Sequence, residues 1–120
     1  MGRFVIRKVP SGIKFDLKAA NGQVIATSEV YETTASCQKG IASVRKNAPL
    51  AHFEDHTITD YTPAGNPKFE LYTDKAGGFR FRLKARNGKI IAISESYTTK
   101  LACENGIESV RNNAPEAEIE

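Results

Sequence analysis

Long apolar runs are missing from this sequence, and no stretch approaches the roughly 18 residues that a membrane helix needs. The opening residues, MGRFVIRKVPSG, also lack the apolar core and small-residue cleavage site of a secretory leader, so a cytoplasmic protein without a membrane partner is expected. Cysteine is scarce. Cys37 and Cys103 stand alone, which leaves neither a disulfide framework nor metal-ligand spacing, and both read as small buried hydrophobes. Neither has a local motif that would supply the base a nucleophilic thiol requires. There is no GxSxG elbow, no phosphate loop and no paired-glycine nucleotide fingerprint. An enzyme is therefore not expected, no catalytic residue is named, and no cofactor is implied. Charge of either sign is also modest. A net charge of +3 permits weak attraction to nucleic acid without demanding it.

What the chain does have is a copy of itself. Asn21 to Pro49, NGQVIATSEVYETTASCQKGIASVRKNAP, returns as NGKIIAISESYTTKLACENGIESVRNNAP from Asn87 to Pro115, offset by 66 positions without a gap. This is a tandem duplication. Each copy is of a size at which an isolated core is marginal, so two copies sharing one core are expected rather than two beads. The chain divides into a first repeat at 1–58, a linker of turn-forming composition at 59–67 (TDYTPAGNP from Thr59), and a second repeat at 68–120.

Local patterns fill in each repeat. Arg3 to Lys8 and Lys68 to Asp74 read as first strands, with Phe4, Ile6, Phe69 and Leu71 inward. Phe15 and Leu17, then Phe81 and Leu83, alternate with polar residues as half-buried second strands. Asn21-Gly22 and Asn87-Gly88 read as two-residue type I′ turns, which need positive φ at both positions. Such a turn pairs Leu83 with Ala92 and Phe81 with Ser94 on the core face. On the open face it sets Arg82 opposite Ile93, Lys84 opposite Ile91, Arg80 opposite Glu95, and Lys14 opposite Glu29. Ile25, Ile91 and Ile93 would share that open face.

Helices follow from about Thr34 to Asn47 and from about Lys100 to Asn113, with Thr33 and Thr99 as N-caps and Cys37, Ile41, Val44 and Ala48 as one apolar stripe. Gly40 and Gly106 sit on the stripe in mid-helix, which points to a close approach. Asn47 and Asn113 suit a left-handed cap before Pro49 and Pro115. Short last strands follow, with Phe53 and Ile119 inward. Each repeat is βββαβ.

The run SEVYETTASCQKGIASVRKNAP, its copy SESYTTKLACENGIESVRNNAP and the upstream FRFRLKARNGKIIA resemble the YegP-like family of bacterial proteins over nearly the whole chain. The resemblance implies an α+β fold of tandem βββαβ repeats with pseudo-twofold symmetry. It implies an antiparallel sheet packed by two helices, with the last strands exchanged. It carries no activity and so no catalytic residues.

Three binding readings remain. His52, Glu54 and His56 fall on one strand face, an arrangement that can hold zinc, but a solvated strand face is the commoner explanation and no metal site is expected. Arg80, Arg82, Lys84 and Arg86 form a basic stripe that could meet a nucleic-acid backbone, without the interleaved aromatics of a single-strand binder. The three isoleucines on the open face would suit a protein partner. The pattern as a whole suggests a monomer that contains its own pseudo-dimer.

Overall fold

The structure, a computed structural model, describes residues 2–120, so Met1 of the first repeat lies outside it. The first repeat forms β1 (Arg3–Val9), β2 (Gly12–Lys18), β3 (Val24–Thr27), α1 (Thr34–Asn47) and β4 (His52–Asp55). The second forms β5 (Lys68–Thr73), β6 (Phe79–Lys84), β7 (Ile90–Ile93), α2 (Lys100–Asn113) and β8 (Glu118–Ile119). All eight strands join one sheet in the order β4-β5-β6-β7-β3-β2-β1-β8. The last strand of each repeat therefore belongs to the other repeat's half, as the family resemblance implies. The six central strands are antiparallel, and the two exchanged edges, β4 on β5 and β8 on β1, are parallel. The sheet is mixed rather than wholly antiparallel.

The Asn-Gly turns differ from expectation. Gly88 N–H donates to the Ala85 carbonyl and Ala85 N–H to the Lys89 carbonyl, both at 2.9 Å. Gly22 and Gly88 have φ of 86° and 85°, while no residue other than glycine has positive φ among the described residues. Arg86-Asn87 thus make an ordinary type I turn, and Gly88 takes the left-handed position of a bulge. Asn87 Oδ1 accepts from the Lys89 N–H at 3.0 Å, the local turn that asparagine favours.

A second irregularity compensates the first. Lys84 pairs with Ile90, but Leu83 pairs with Ala92 and Arg82 with Ile93, so the expected register returns beyond a β-bulge at Ile91. The first copy does the same at Ile25. A bulge lets two consecutive residues face the same way. Ile25 and Ile91 consequently lie in the core, 6% and 7% exposed, and only Ile93 stays on the open face.

Both helices lie over the face that carries Phe4, Phe15, Phe69 and Phe81, all fully buried. Thr33 and Thr99 cap them by accepting from Ser36 and Ala102 N–H. The glycines explain how closely the layers meet. A Cβ on Gly40 would fall inside the Tyr31 hydroxyl, and one on Gly106 would stand 2.5 Å from that of Tyr97. Each tyrosine lies in this notch, stacked on Phe15 or Phe81.

No left-handed cap ends either helix. Asn47 and Asn113 keep right-handed φ of −86° and −88° and donate their amides back to the Ser43 and Ser109 carbonyls at 2.8 Å. A short 3-10 turn then begins at Ala48 and at Ala114, with Pro49 and Pro115 as its second residue. Beyond it the repeats clasp each other: Arg45 donates to the Ala117 carbonyl, and Arg111 to the Ala48 carbonyl at 3.3 Å.

Phe53 and Ile119 are another correction. They pair with Phe69 and Phe4 and so share the helix side, but each is 42% exposed. The sheet is wider than the two helices that cover it, and its edge residues are only partly roofed.

Candidate functional site

The open face of the second half gathers most of the buried charge. Strand alternation sends Glu54 from β4, Lys68 and Glu70 from β5, and Arg82 and Lys84 from β6 to the same side. Register then sets Glu70 directly across from Arg82, and the pair closes at 2.6 Å. Glu70 is also met by Lys84 at 3.1 Å and by Lys68 at 3.4 Å, while Arg82 lies 4.5 Å from the centre of the Tyr72 ring. Glu54 accepts from Lys68 at 2.9 Å and from the backbone N–H of Ala64 at 2.7 Å. His56 meets Glu54 at 2.5 Å and stacks on Tyr61, ring centres 4.4 Å apart. The segment between the repeats therefore folds back onto the cluster and closes its edge.

The two carboxylates are held ionised. Burial alone would push Glu54 up, but the Ala64 N–H, His56 and Lys68 outweigh it and bring it to about 2. Burial likewise opposes ionisation of Glu70, and Arg82 and Lys84 prevail and lower it. Lys68 is raised, chiefly by its hydrogen bond to Glu54.

Of the three residues with zinc-like spacing, Glu54 and His56 come together and His52 does not; it is exposed, and Glu70 takes its place in the group. Glu54, His56 and Glu70 offer ligand atoms within 4.8 Å of one another. Their oxygens already accept from Lys68, Lys84 and Arg82, three positive charges around two negative ones. A divalent cation would have to displace Lys68 and remain beside the other two. The arrangement works as a closed ion-pair network.

The basic stripe is changed in the same way. Arg82 and Lys84 are bound to Glu70. Arg80 pairs with Asp74 at 3.0 Å and donates to the Ser94 carbonyl at 3.3 Å rather than meeting Glu95. Asp74 is itself held at about 2 by Ser96, Arg80 and the Gly78 N–H. Among the described residues no ion pair joins Lys14 to Glu29 or Arg80 to Glu95, because the strand departs from simple register after Ser28 and Ser94. Those hydroxyls accept from the Phe15 and Phe81 N–H groups at 2.9 Å, and the next bridges are Ile13 to Tyr31 and Phe79 to Tyr97. Arg86 lies beyond β6, in the turn, and is exposed.

Cys37 and Cys103 are free and fully buried, as their place on the stripe predicts. Burial pushes both thiols up, and Glu104 helps to carry Cys103 to about 12. Neither is a thiolate at neutral pH.

Glu70 and Asp74 have roles that the sequence reading leaves out. Glu70 was reachable, since alternation places it on the open face and register places it opposite Arg82. The Ala64 contact has no such signal, because it is made by backbone.

Comparison with known proteins agrees with this architecture. The sequence matches the domain family described as "Domain of unknown function (DUF1508)" twice, over residues 12–55 and 74–120. It is 40% identical over 114 residues to the UPF0339 protein YegP of Yersinia pestis, covering 94% of this chain and 88% of that one. It is 36% identical over 119 residues to a UPF0339 protein in the ptx operon 5′ region of Stutzerimonas stutzeri, covering 98% and 94%. Two solution NMR structures superpose on it with a TM-score of 0.81 each. One is yegP from E. coli, a protein of unknown function, at 37% identity over 99% of this chain and 90% of that one. The other is the UPF0339 protein SO3888 of Shewanella oneidensis, at 32% identity over 99% and 89%.

Proposed function

The chain belongs to the DUF1508 family, an uncharacterised family with no catalytic activity shown, and from that premise we propose that it is a binding module rather than an enzyme. One observation carries this reading: the side chains that could do chemistry are engaged elsewhere. The two thiols are buried and protonated. The paired carboxylates and His56, the arrangement closest to an acid–base site, are closed by Lys68, Arg82 and Lys84. A general base must be able to reach a substrate proton, and Glu54 and Glu70 are 3% and 2% exposed.

The module is taken to act in the cytoplasm as a monomer, since each repeat's edge strand is supplied from within the same chain. Nucleic-acid binding along β6 loses support, because Arg80, Arg82 and Lys84 are spent on Asp74 and Glu70. A protein partner on the open face loses support as well, since two of its three isoleucines lie in the core.

The test is a turnover screen of the full chain against chromogenic esters, phosphoesters and glycosides. The expected result is no rate above buffer. A rate removed by Cys103→Ser or Glu54→Gln would overturn the proposal.

A further inference from the structure

One groove on the helix side is built by both repeats. Lys39, Ser43, Lys46 and Asn47 of α1 form one wall, and Arg86 and Asn87 of the β6–β7 turn form the other, around about 350 Å³. Lys39, Ser43 and Lys46 recur at helical spacing and so share one face of α1. Lys39, Lys46 and Arg86 are exposed, no carboxylate lines the groove, and none of the three is in an ion pair among the described residues.

The pseudo-twofold axis supplies a built-in control. The matching positions of the other half hold Asn105 for Lys39, Glu108 for Ala42, Asn112 for Lys46 and Ala20 for Arg86. Three cations thus face a position that carries one anion in its twin. The residues that shape the backbone are the same in both: Ser43 and Ser109, Asn47 and Asn113, Asn21 and Asn87. Both halves fold with one backbone, so the fold does not require the three cations. Three unneutralised charges converging on one hollow cost self-repulsion unless an anion is present.

We propose that this groove binds a small phosphate-bearing anion. Arg86 offers a planar fork for two phosphoryl oxygens, and Lys39 and Lys46 bring mobile point charges from the helix. Asn87 spends its carbonyl on the Lys89 N–H, which leaves its amide free to donate. The hollow is within the size range of small-ligand pockets. A nucleic-acid strand needs a basic track, and here the track stops. Arg45, next along α1, is turned onto the Phe4 ring and the Ala117 carbonyl. The β6 cations lie on the opposite face of the sheet and are already paired.

The inference rests on the binding-module reading only in that the anion is held and not converted. Pyrophosphate is titrated into the isotope-labelled full chain at low salt and followed by NMR. Saturable shifts confined to 39–47 and 86–89 are expected. The triple variant Lys39→Asn, Lys46→Asn, Arg86→Ala should lose affinity about tenfold or more. Its melting temperature should hold, because those side chains already stand at the same positions in the other half. Shifts scattered over the surface, or undiminished affinity in the triple variant, would overturn the site. A short oligothymidylate that binds far more tightly, with a steep salt dependence, would overturn the small-ligand assignment in favour of a nucleic acid. Phosphorus NMR of the same samples should show intact pyrophosphate. Cleavage would sink the non-catalytic reading, whereas absent binding would sink this proposal and leave that reading standing.

Discussion

The two halves of the molecule share a core and differ in their open faces. Phe4 meets Phe15 edge-on with centroids 5.7 Å apart, and Phe69 meets Phe81 at 5.8 Å. The stacked tyrosines lie at 6.3 and 6.4 Å. On the other side of the same strands the charges are inverted. The second half places its acid on the first strand, Glu70, and the cation across from it, Arg82. In the first half Val5 takes the place of Glu70 and Asp16 that of Arg82. Arg7, on the first strand, then supplies the cation at 2.8 Å, and the Thr27 hydroxyl donates to Asp16 at the same distance. A close-packed interior admits few solutions. A wet sheet face asks only that charges be met locally, and inverted pairings serve equally well.

The comparison breaks most completely if the halves are separated. Residues 68–120 expressed alone would leave β5 without β4 and β8 without β1. Such a fragment is expected to be unfolded or a homodimer by circular dichroism and light scattering. A monomer with a cooperative melt would make each half self-sufficient and reduce the exchange to decoration. Next in size is the glycine notch. Gly40→Leu and Gly106→Leu should each cost about 3 kcal/mol as the tyrosine is driven out, against under about 0.5 kcal/mol for Asn105→Leu on the exposed side. Equal losses of melting temperature at positions 105 and 106 would show that the notch does not matter.

Acid should separate the halves further. Glu54 falls from an ordinary 4.5 to about 2 in the folded chain. A depressed carboxylate contributes stability that is complete above its unfolded value and is lost as pH falls through the folded one. The loss should therefore run from pH 4.5 down to about 2 and amount to ~3 kcal/mol. Glu54→Gln should flatten that part of the denaturation-versus-pH curve. At the matching place in the first half Glu120 pairs with Arg3 in the open, 61% exposed in its side chain, and Glu120→Gln should change stability at neutral pH by under about 0.5 kcal/mol. A curve for Glu54→Gln that superposes on that of the unaltered chain would mean that burial of Glu54 has no energetic weight. The smallest effect is across the first half's own pair. A double-mutant cycle on Arg7 and Asp16 should return a coupling of ~0.5 kcal/mol. A much larger value would make the two faces energetic equals.

Much of the fold was legible because its signals are local. The 66-residue echo, the threonine caps and the apolar stripe fix both helices to the residue, at Thr34–Asn47 and Lys100–Asn113. The turn type is not legible, because Asn-Gly suits two geometries and the choice between them depends on the bulge at Ile25 and Ile91. That bulge answers to packing across strands, which adjacent residues do not encode. For Phe53 the side of the sheet is legible and the depth is not, since exposure there depends on how far α2 reaches over β4. The charged cluster was half legible. Glu70 and Arg82 follow from alternation and register. The closing contact from Ala64 is a backbone donor in a loop and leaves no mark in the side-chain pattern.

The tyrosines seated in the helix notches tie part of the fold's stability to alkaline pH and supply a colour change to read it by. Tyr31 and Tyr97 ionise above their ordinary 10, first because they are partly buried and then because Cys37 and Glu29, or Cys103 and Glu95, stand nearby. A phenol that must stay neutral in its seat but ionises freely in the open chain lends stability below pH 10 and withdraws it above. Phenolate absorbs where phenol does not, and the chain has no tryptophan; since Tyr61 and Tyr72 lie outside the notches, the notch signal is the difference between the parent chain and each tyrosine-to-phenylalanine variant. Each half thus carries its own optical indicator at the point where helix meets sheet. With Tyr31→Phe or Tyr97→Phe silencing one at a time, the rise in absorbance reports which half lets go of its helix, and whether the other follows in the same step.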